Sequence, residues 1–263
     1  MSDHLEVNRA SWNRFVSEHL SSDFYDVAGF LAGQDSLNEP ELELLGDVRG
    51  LRILHLQCHF GMDSISLARR GANVTAVDLS EEAIKAGQEL AEKDGQDVRF
   101  IVSDVLAEGL TADEEFDMVF TSYGAITWLK DLDIWAERIA HWLRPNGRLV
   151  LAEFHPLLGT FNDEFTHVEY PYFNTGAIEG SQRGSYAARD SDLEFEYKVW
   201  NHHIGEVLGC VMGNGMSLEA FHEYDYSPYN CFPGLEEHGE GRYVIEGKAG
   251  LFPMVYSFSA RKV

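Results

Sequence analysis

Three short apolar segments between Leu51 and Asp104 constrain the fold of this chain more than any other feature. They are residues 51–56, 73–78 and 98–104, and helix-like sequence follows each of the first two. Strand, turn and helix alternate in this way in a parallel sheet that is covered by helices. Because parallel strands bring their carboxyl ends to one edge of the sheet, functional residues should collect at that edge.

The residues at the ends of these segments predict a nucleotide-like ligand. Gly61 follows the first strand, and a residue without a side chain allows a tight turn and a close approach of the backbone to a ligand. Asp78 ends the second strand, near the spacing of roughly 20 residues at which nucleoside-binding units hold ribose hydroxyls. Asp104 ends the third strand. Together the three strand ends predict one site for an adenosine-like ligand.

These residues resemble the class I S-adenosylmethionine-dependent methyltransferases over about residues 45–155. That family has an acidic residue before a glycine-rich turn, a second on the ribose, an Asp beside the adenine, and Leu-x-Pro-x-Gly before the fifth strand. The matching positions here are His55–Gly61, Asp78, Asp104 with Val105, and 143–147. Where the family usually has Asp-x-Gly-x-Gly-x-Gly, this chain reads His-Leu-Gln-Cys-His-Phe-Gly, so one glycine remains. Its Leu-Gln-Cys-His turn resembles a subgroup of bacterial small-molecule methyltransferases.

The resemblance implies a fold, a cofactor and a set of contacts. The fold is a Rossmann-like α/β fold whose seven-stranded, mostly parallel sheet has helices on both faces, with the seventh strand antiparallel between the fifth and sixth. The cofactor is S-adenosyl-L-methionine. The residues expected to contact it are Tyr25, Gln57, Cys58, His59, Gly61, Asp78, Leu79, Asp104 and Val105.

The flanking sequence predicts additions to this fold. Apolar residues at three- and four-residue steps predict an amphipathic helix at about 8–20, and alternation over 193–200 predicts a strand. Asp63 or Ser64 should cap the helix after the first strand, Ser80 should cap the next, and an acidic loop should lie at 113–115. We therefore expect a single domain over 1–263. Its parts are a helical cap (1–45), a cofactor-binding core (46–155), a β-rich lid-like substrate insertion (156–201), and a last helix with closing antiparallel strands (202–263).

Charge and composition restrict the acceptor of such an enzyme. Twenty basic and forty-four acidic residues give a net charge of -24, which repels the phosphates of RNA, DNA and acidic membranes. A small-molecule acceptor remains, although solubility or a salt-adapted host explains the charge at least as well as attraction for cations. No apolar run approaches the ~18 residues of a membrane helix, and the first residues lack an export signal. We expect a cytoplasmic monomer or homodimer without nucleic-acid or membrane partners.

Methyl transfer needs alignment of the reactants and removal of a proton from the acceptor. Imidazole has a suitable pKa, so His155, after the fifth strand, is the first candidate base, and His202 is the second. Aromatic side chains that could wall the substrate cleft are Tyr123, Trp128, Tyr172 and Trp200. No metal is expected, because the adjacent His202 and His203 diverge and the three cysteines are scattered.

The sequence leaves alternatives open. A nicotinamide-dependent oxidoreductase can share this fold, but Gly-x-Gly-x-x-Gly is absent at 57–62. A protein that binds the cofactor without turnover would explain the glycine-poor turn. The segment 156–201 could also be a rigid β-extension that mediates dimerisation instead of a lid.

Overall fold

A seven-stranded sheet forms the centre of the structure, a computed structural model that describes residues 3–110 and 115–263. Most of the predicted acidic loop at 113–115 therefore lies outside the described residues. In chain order the strands are β1 (Arg52–Leu56), β2 (Asn73–Asp78), β3 (Val98–Val102), β4 (Phe116–Ser122), β5 (Leu143–Phe154), β6 (Ile178–Arg183), β7 (Glu194–Val199), β8 (Met216–Tyr224), β9 (Leu235–Glu237), β10 (Tyr243–Ile245) and β11 (Val255–Lys262). The helices are α1 (Asp3–Ser21), α2 (Val27–Leu31), α3 (Glu39–Leu45), α4 (Met62–Arg69), α5 (Glu81–Asp94), α6 (Leu132–Trp142) and α7 (Ile204–Gly213).

The order of the strands confirms the predicted fold class. The sheet runs β3-β2-β1-β4-β5-β11-β8, and the first five of these strands are parallel. β11 is antiparallel to both β5 and β8, so the last strand of the chain lies between the fifth and sixth strands of the sheet. The carboxyl ends of β1 to β5 consequently share one edge.

Helices bury both faces of this sheet, as a parallel sheet requires. On one face, α6 places Trp135, Ile139 and Trp142 against the strands, and all three are buried. Their spacing of three and four residues puts them on one side of the helix. On the other face, Leu45 of α3 and Leu67 of α4 pack against β1 and β4. The strands are therefore rigid supports for the residues at their carboxyl ends.

The ends of two helices test the predicted caps. Ser80 caps α5 as predicted, because its hydroxyl oxygen accepts a hydrogen bond from the Ala83 amide at 3.0 Å. The prediction that Asp63 or Ser64 caps α4 is wrong. That helix begins at Met62, and Gly61 is its N-cap with a φ of 73°. Asp63 lies inside the first turn, where its carboxylate is available for other contacts.

The N-terminal helix and the insertion form one cover over the sheet edge. The side-chain amide of buried Asn8 donates to the Lys198 carbonyl at 2.8 Å, and its oxygen accepts from the Lys198 amide at 3.0 Å. Ser11 donates to the Glu196 carbonyl at 2.7 Å. These contacts bind α1 to the edge of β7, whose only strand partner in the described residues is β6.

The connection between β8 and β11 has structure that the sequence did not predict. It contains the antiparallel pair β9–β10 and a small apolar core. The core residues include Leu158, Phe165, Tyr226, Val244, Ile245 and Met254. The insertion and the closing segment are therefore packed on each other. None of the helices in the described part of the chain combines the length and apolar character needed to span a bilayer.

Candidate active site

A cavity of about 640 Å³ lies at the carboxyl ends of the parallel strands. Its walls come from the turn after β1 and from the segments that follow β2, β3, β4 and β5. The lining segments from these strand ends are 57–63, 78–79, 103–105, 122–129 and 153–156. The volume is typical of a small-molecule site. The cavity therefore lies at the edge of the sheet where the sequence predicted functional residues.

In the turn after β1, three residues have the positive φ values that favour glycine, but only one of the three is a glycine. Gln57, His59 and Gly61 have φ values of 53°, 52° and 73°. For a residue with a side chain this conformation costs roughly 1–2 kcal/mol. The side chains are held by long-range contacts: the Gln57 amide donates to the Ala125 carbonyl at 2.6 Å, and His59 Nε2 lies 2.9 Å from Nδ1 of His19. Contacts of this kind therefore accompany the positive φ values at the two of these three positions that are not glycine.

Three buried polar atoms around this turn have no hydrogen-bond partner in the described structure. They are Nε2 of His55, Oε1 of Gln57 and Nδ1 of His59, and all three residues line the cavity. Buried polar groups are rarely left unpaired, so atoms of this kind mark where a polar ligand binds. An ammonium group could donate to the Gln57 oxygen, while the amino end of α4 favours a carboxylate. This part of the cavity fits the amino-acid end of S-adenosylmethionine.

Asp78 is fixed at the end of β2. One carboxylate oxygen accepts from the His59 amide at 2.8 Å, and the other accepts from the Ser80 amide at 2.9 Å. Burial raises its pKa to about 6, although these amide donors oppose the shift. Leu79 follows it in the cavity wall. A carboxylate held in this way can still accept hydrogen bonds from two ribose hydroxyls.

Asp104 and Val105 occupy the neighbouring strand end. Asp104 accepts from the Leu106 amide at 2.9 Å, and Val105 is buried. Both residues line the cavity beside Ser103. An apolar side chain next to a fixed carboxylate is suited to a base such as adenine. The role of Asp104 and Val105 as adenine contacts stays a prediction, as does the role of every other residue in the site.

The N-terminal cap covers the cofactor turn through aromatic and imidazole rings. The ring of Tyr25 lies 4.6 Å from that of Phe60, and its hydroxyl is 2.5 Å from the hydroxyl of Tyr186. Burial lowers the pKa of His19 to about 4, and burial together with His19 holds the pKa of His59 well below its usual range. The imidazole pair is therefore neutral near neutral pH. Sequence reasoning missed Tyr186, since nothing local marks its contact with Tyr25.

Both predicted catalytic histidines line the cavity, and both rings are engaged by neighbours. His155 Nδ1 accepts from the Leu157 amide at 3.1 Å, so Nε2 carries the hydrogen that faces Glu223 at 3.2 Å. Burial lowers the pKa of His155, while Glu223 opposes that shift. His202 Nε2 donates to the Leu129 carbonyl at 2.8 Å, and Nδ1 lies 3.0 Å from Glu206. Each histidine must exchange a hydrogen bond before it can accept a proton from a substrate.

The acceptor end of the cavity has aromatic walls. Tyr123, Trp128 and Trp200 line it as predicted, but Tyr172 does not, because its ring lies against Phe173 and His203 outside the lining. Lining residues that sequence reasoning missed include Asp63, Phe154, Tyr229, Phe232 and Tyr256. Asp63 accepts hydrogen bonds from Ser36 at 2.7 Å and Ser122 at 3.0 Å. The only local indication that Asp63 lines the cavity was its position two residues after Gly61, the glycine of the turn after β1.

Comparison with known proteins assigns the family. Residues 53–147 match the model of a methyltransferase domain. A ubiquinone biosynthesis O-methyltransferase of Xanthomonas euvesicatoria is 30% identical over 226 residues, which cover 81% of this chain and 91% of that protein. The chain belongs to the class I S-adenosylmethionine-dependent methyltransferases. It is therefore an enzyme that uses S-adenosyl-L-methionine, and the oxidoreductase and non-catalytic alternatives are set aside.

Solved structures share the fold of this methyltransferase. An S-adenosylmethionine-dependent methyltransferase of Mesorhizobium loti has a TM-score of 0.56 at 20% identity, covering 88% of this chain and 99% of the other. The magnesium protoporphyrin IX methyltransferase of Synechocystis, solved with bound cofactor, has a TM-score of 0.53 at 14% identity and covers 100% of this chain and 99% of its own. At these identities the likeness concerns the fold alone.

The first prediction concerns Asp78. Asp78→Asn should weaken binding of S-adenosylmethionine by roughly 10- to 100-fold, the usual effect of leaving buried hydrogen-bonding groups unmet. Calorimetry measures the affinity. Urea unfolding checks that the variant is folded, because the new side-chain amide also replaces the carboxylate that accepts from the His59 and Ser80 backbone amides. Asp97→Asn is the matched control, since it removes the same charge from an exposed position. An unchanged affinity in Asp78→Asn would remove Asp78 from the site.

Proposed function

We propose that this methyltransferase transfers the methyl group of S-adenosyl-L-methionine to a hydroxyl oxygen of a small, uncharged aromatic acceptor. The observation that carries the proposal is the aromatic lining of the cavity. Outside the turn after β1 and the N-terminal cap, its aromatic residues include Tyr123, Trp128, Phe154, Trp200, Tyr229 and Phe232. Flat rings favour a flat acceptor, because aromatic pairs contribute about 0.5–1.5 kcal/mol beyond the buried area.

The charge of the lining supports an uncharged acceptor. Among the described residues that line the cavity, none is a lysine or an arginine. The acidic lining residues are Asp26, Asp35, Asp63, Asp78, Asp104 and Glu153. An acceptor carrying a carboxylate or phosphate would be desolvated there without a cationic partner, which is costly. A neutral acceptor avoids that cost.

The relatives support oxygen as the methylated atom. The Xanthomonas relative is by its name an O-methyltransferase of ubiquinone biosynthesis. At 30% identity, the same type of acceptor atom is the simplest proposal for this chain. The identity of the acceptor is not carried over.

The protein's own residues would supply alignment and exclusion of water. When bound, the cofactor supplies a methyl group attached to a positively charged sulfur. Gln57 to Gly61 would hold its amino-acid end, Asp78 the ribose, and Asp104 with Val105 the adenine. Trp200 fixes one wall, because its amide donates to the Thr127 carbonyl at 2.8 Å and its carbonyl accepts from the Thr127 hydroxyl at 3.0 Å. The cap and the insertion, joined at α1 and β7, would keep water from the reacting atoms.

Other predictions about the molecule remain predictions. These are the division of the single domain at 45, 155 and 201, the moving-lid character of 156–201, the monomeric or dimeric state, the cytoplasmic location and the absence of nucleic-acid and membrane partners. His155 and His202 likewise remain predicted catalytic residues.

The second prediction tests the acceptor class. We expect methylation of dihydroxylated aromatic compounds, with kcat/KM at least about tenfold lower for the matched compounds that carry a carboxylate, since an unpaired buried charge costs more than 1.4 kcal/mol. Mass spectrometry of the products identifies the methylated atom. Aminophenols provide the control, because one ring offers both oxygen and nitrogen. Methylation of the nitrogen alone, or a preference for carboxylated acceptors, would overturn the proposal.

A further inference from the structure

A hydrogen-bonded pair connects the acceptor end of the cavity to a buried carboxyl group. The Tyr123 hydroxyl donates to Glu41 Oε2 at 2.5 Å. Tyr123 lines the cavity, whereas Glu41 is fully buried in α3 and lies outside the lining. Tyr123 also has a φ of 28°, which is unusual for a residue with a side chain. Backbone strain of this kind persists where the surrounding structure fixes a residue, often at functional sites.

The pair lies beside the segment that should hold the cofactor. Gln57 in the cofactor turn is bonded to the Ala125 carbonyl, two residues after Tyr123. Asp63, in the first turn of α4, accepts from the hydroxyl of Ser122, the residue before Tyr123. The cofactor turn and the Tyr123 segment are thus tied together on both sides of the tyrosine. Tyr123 therefore lines the cavity from a segment that is held beside the cofactor turn.

The two oxygens of Glu41 have different partners. Oε1 accepts from the Asn38 amide at 2.6 Å, which completes the capping box of α3. Oε2 has no part in that cap and is used by Tyr123. The other groups facing the carboxyl are Asp63 from α4 and Tyr229 from the β8–β11 connection. No cation neutralises Glu41 among the described side chains bonded to it.

These surroundings make Glu41 an unusually strong base for a carboxylate. Burial and the nearby Asp63 raise its pKa to about 8, against the hydrogen bonds from Tyr123 and Asn38. General catalysis is most efficient when the pKa of the catalytic group lies near the working pH. A carboxylate with an ordinary pKa would hold a phenolic proton poorly.

We propose that Tyr123 is a catalytic residue that takes the proton of the acceptor hydroxyl while passing its own proton to Glu41. This inference rests on the proposed O-methyl transfer. As the acceptor oxygen bonds to the methyl carbon, the carbon–sulfur bond breaks and its electron pair stays on sulfur. The hydroxyl proton moves to the Tyr123 oxygen and the phenolic proton moves to Glu41 Oε2. Because Glu41 is buried, that proton returns through Tyr123 to the water that enters the cavity after the product leaves. Glu41 acts through Tyr123 and is a positioning residue.

The test compares the pH dependence of turnover in matched variants. In the natural protein, kcat should rise with pH to a plateau, with an apparent pKa of about 8. Tyr123→Phe should lower the plateau by roughly 100-fold, the low end of a general-base contribution. Glu41→Gln should remove the rise with pH and leave KM nearly unchanged. Glu43→Gln and Tyr224→Phe are the controls, because that exposed pair of α3 and β8 is bonded at 2.7 Å and lies outside the cavity lining.

A binding measurement without cofactor provides an independent readout. At about pH 9, the natural protein should bind a hydroxylated aromatic at least about tenfold more tightly than its methyl ether, because only the hydroxyl can donate to the ionised pair. Tyr123→Phe should lose this preference while keeping affinity for the ether, which also shows that the variant is folded.

The outcomes separate the two proposals. If the natural protein methylates no hydroxylated acceptor in the panel, the proposed function fails. If it does, but Tyr123→Phe and Glu41→Gln keep the turnover and pH profile of the Glu43→Gln control, the proton path is wrong and the function stands. A retained rise in Glu41→Gln that disappears in His155→Ala would assign the base to His155 instead.

Discussion

Gly61→Ala is expected to lower the free energy of unfolding by roughly 2 to 4 kcal/mol, as measured by urea denaturation. Two effects add. The φ of 73° is unfavourable for any residue with a side chain, and an added Cβ would lie 2.6 Å from a ring carbon of Phe100. That ring has little room to withdraw, because a Cβ at Gly87 would meet it at 2.7 Å as well. Phe100 is thus wedged between two glycines under the cofactor turn.

Gly95→Ala separates the two effects. Gly95 has the same φ of 73°, but nothing lies within 4 Å of the position that its Cβ would occupy. Its replacement should therefore cost only about 1 kcal/mol. Adding Phe100→Leu to Gly61→Ala should recover part of the excess by relieving the contact. If Gly61→Ala and Gly95→Ala lost the same free energy of unfolding, the Phe100 ring would be free to move away. Close packing against Phe100 would then not explain why Gly61 remains a glycine.

The sequence predicted those features that depend on local pattern. The apolar segments located β1 to β3, and Asp78 and Asp104 lie at the cavity because the polar residue that ends such a segment comes to the sheet edge. Ser80 was recognisable as a cap because its partner is three residues away. The order of the closing strands followed from the family resemblance. Each of these features depends on residues that are close in the sequence or on the strand order that the family shares.

Features that depend on distant contacts could not be predicted. The residue types Gln and His do not by themselves indicate a positive φ at positions 57 and 59, although both stand where the family usually has glycine. Their conformations are stabilised by Ala125 and by His19, which is 40 residues away. The Tyr123–Glu41 bond joins residues 82 apart. Such pairs are neighbours only in the folded chain, so no local pattern marks them.

The substituted turn also contacts the cover of the site. His59 provides a ring on which other elements pack, which a glycine at this position could not do. His19 contacts that ring with one nitrogen and the Ser185 hydroxyl with the other, at 3.0 Å. The cofactor turn, α1 and the insertion are therefore joined through one buried imidazole. At position 59, where the family usually has glycine, this chain has a histidine that bonds the cofactor turn to the elements covering the site.

The remaining prediction concerns the stability of the ligand-free protein as a function of pH. The pKa of Glu41 is about 8 in the folded protein and ~4.3 in an unfolded chain. Between these values the unfolded chain has released a proton that the folded protein still holds. The contribution of Glu41 to stability is therefore complete at low pH and is lost as the pH rises towards about 8. Glutamine does not titrate, so Glu41→Gln should be free of this loss.

Relative to the natural protein, Glu41→Gln should gain roughly 3 kcal/mol of unfolding free energy between about pH 5 and about pH 8. Urea denaturation of both proteins across this range measures the difference. Other buried groups with shifted pKa values contribute in both proteins and largely cancel in the difference: His19, with its lowered pKa, opposes the effect of Glu41, and Asp78, with its raised pKa, acts in the same direction. Glu43→Gln, at an exposed position of the same helix, should show no pH-dependent difference. If the Glu41→Gln difference were equally flat, Glu41 would titrate as an ordinary carboxyl group, and it could not hold the proton that Tyr123 passes to it.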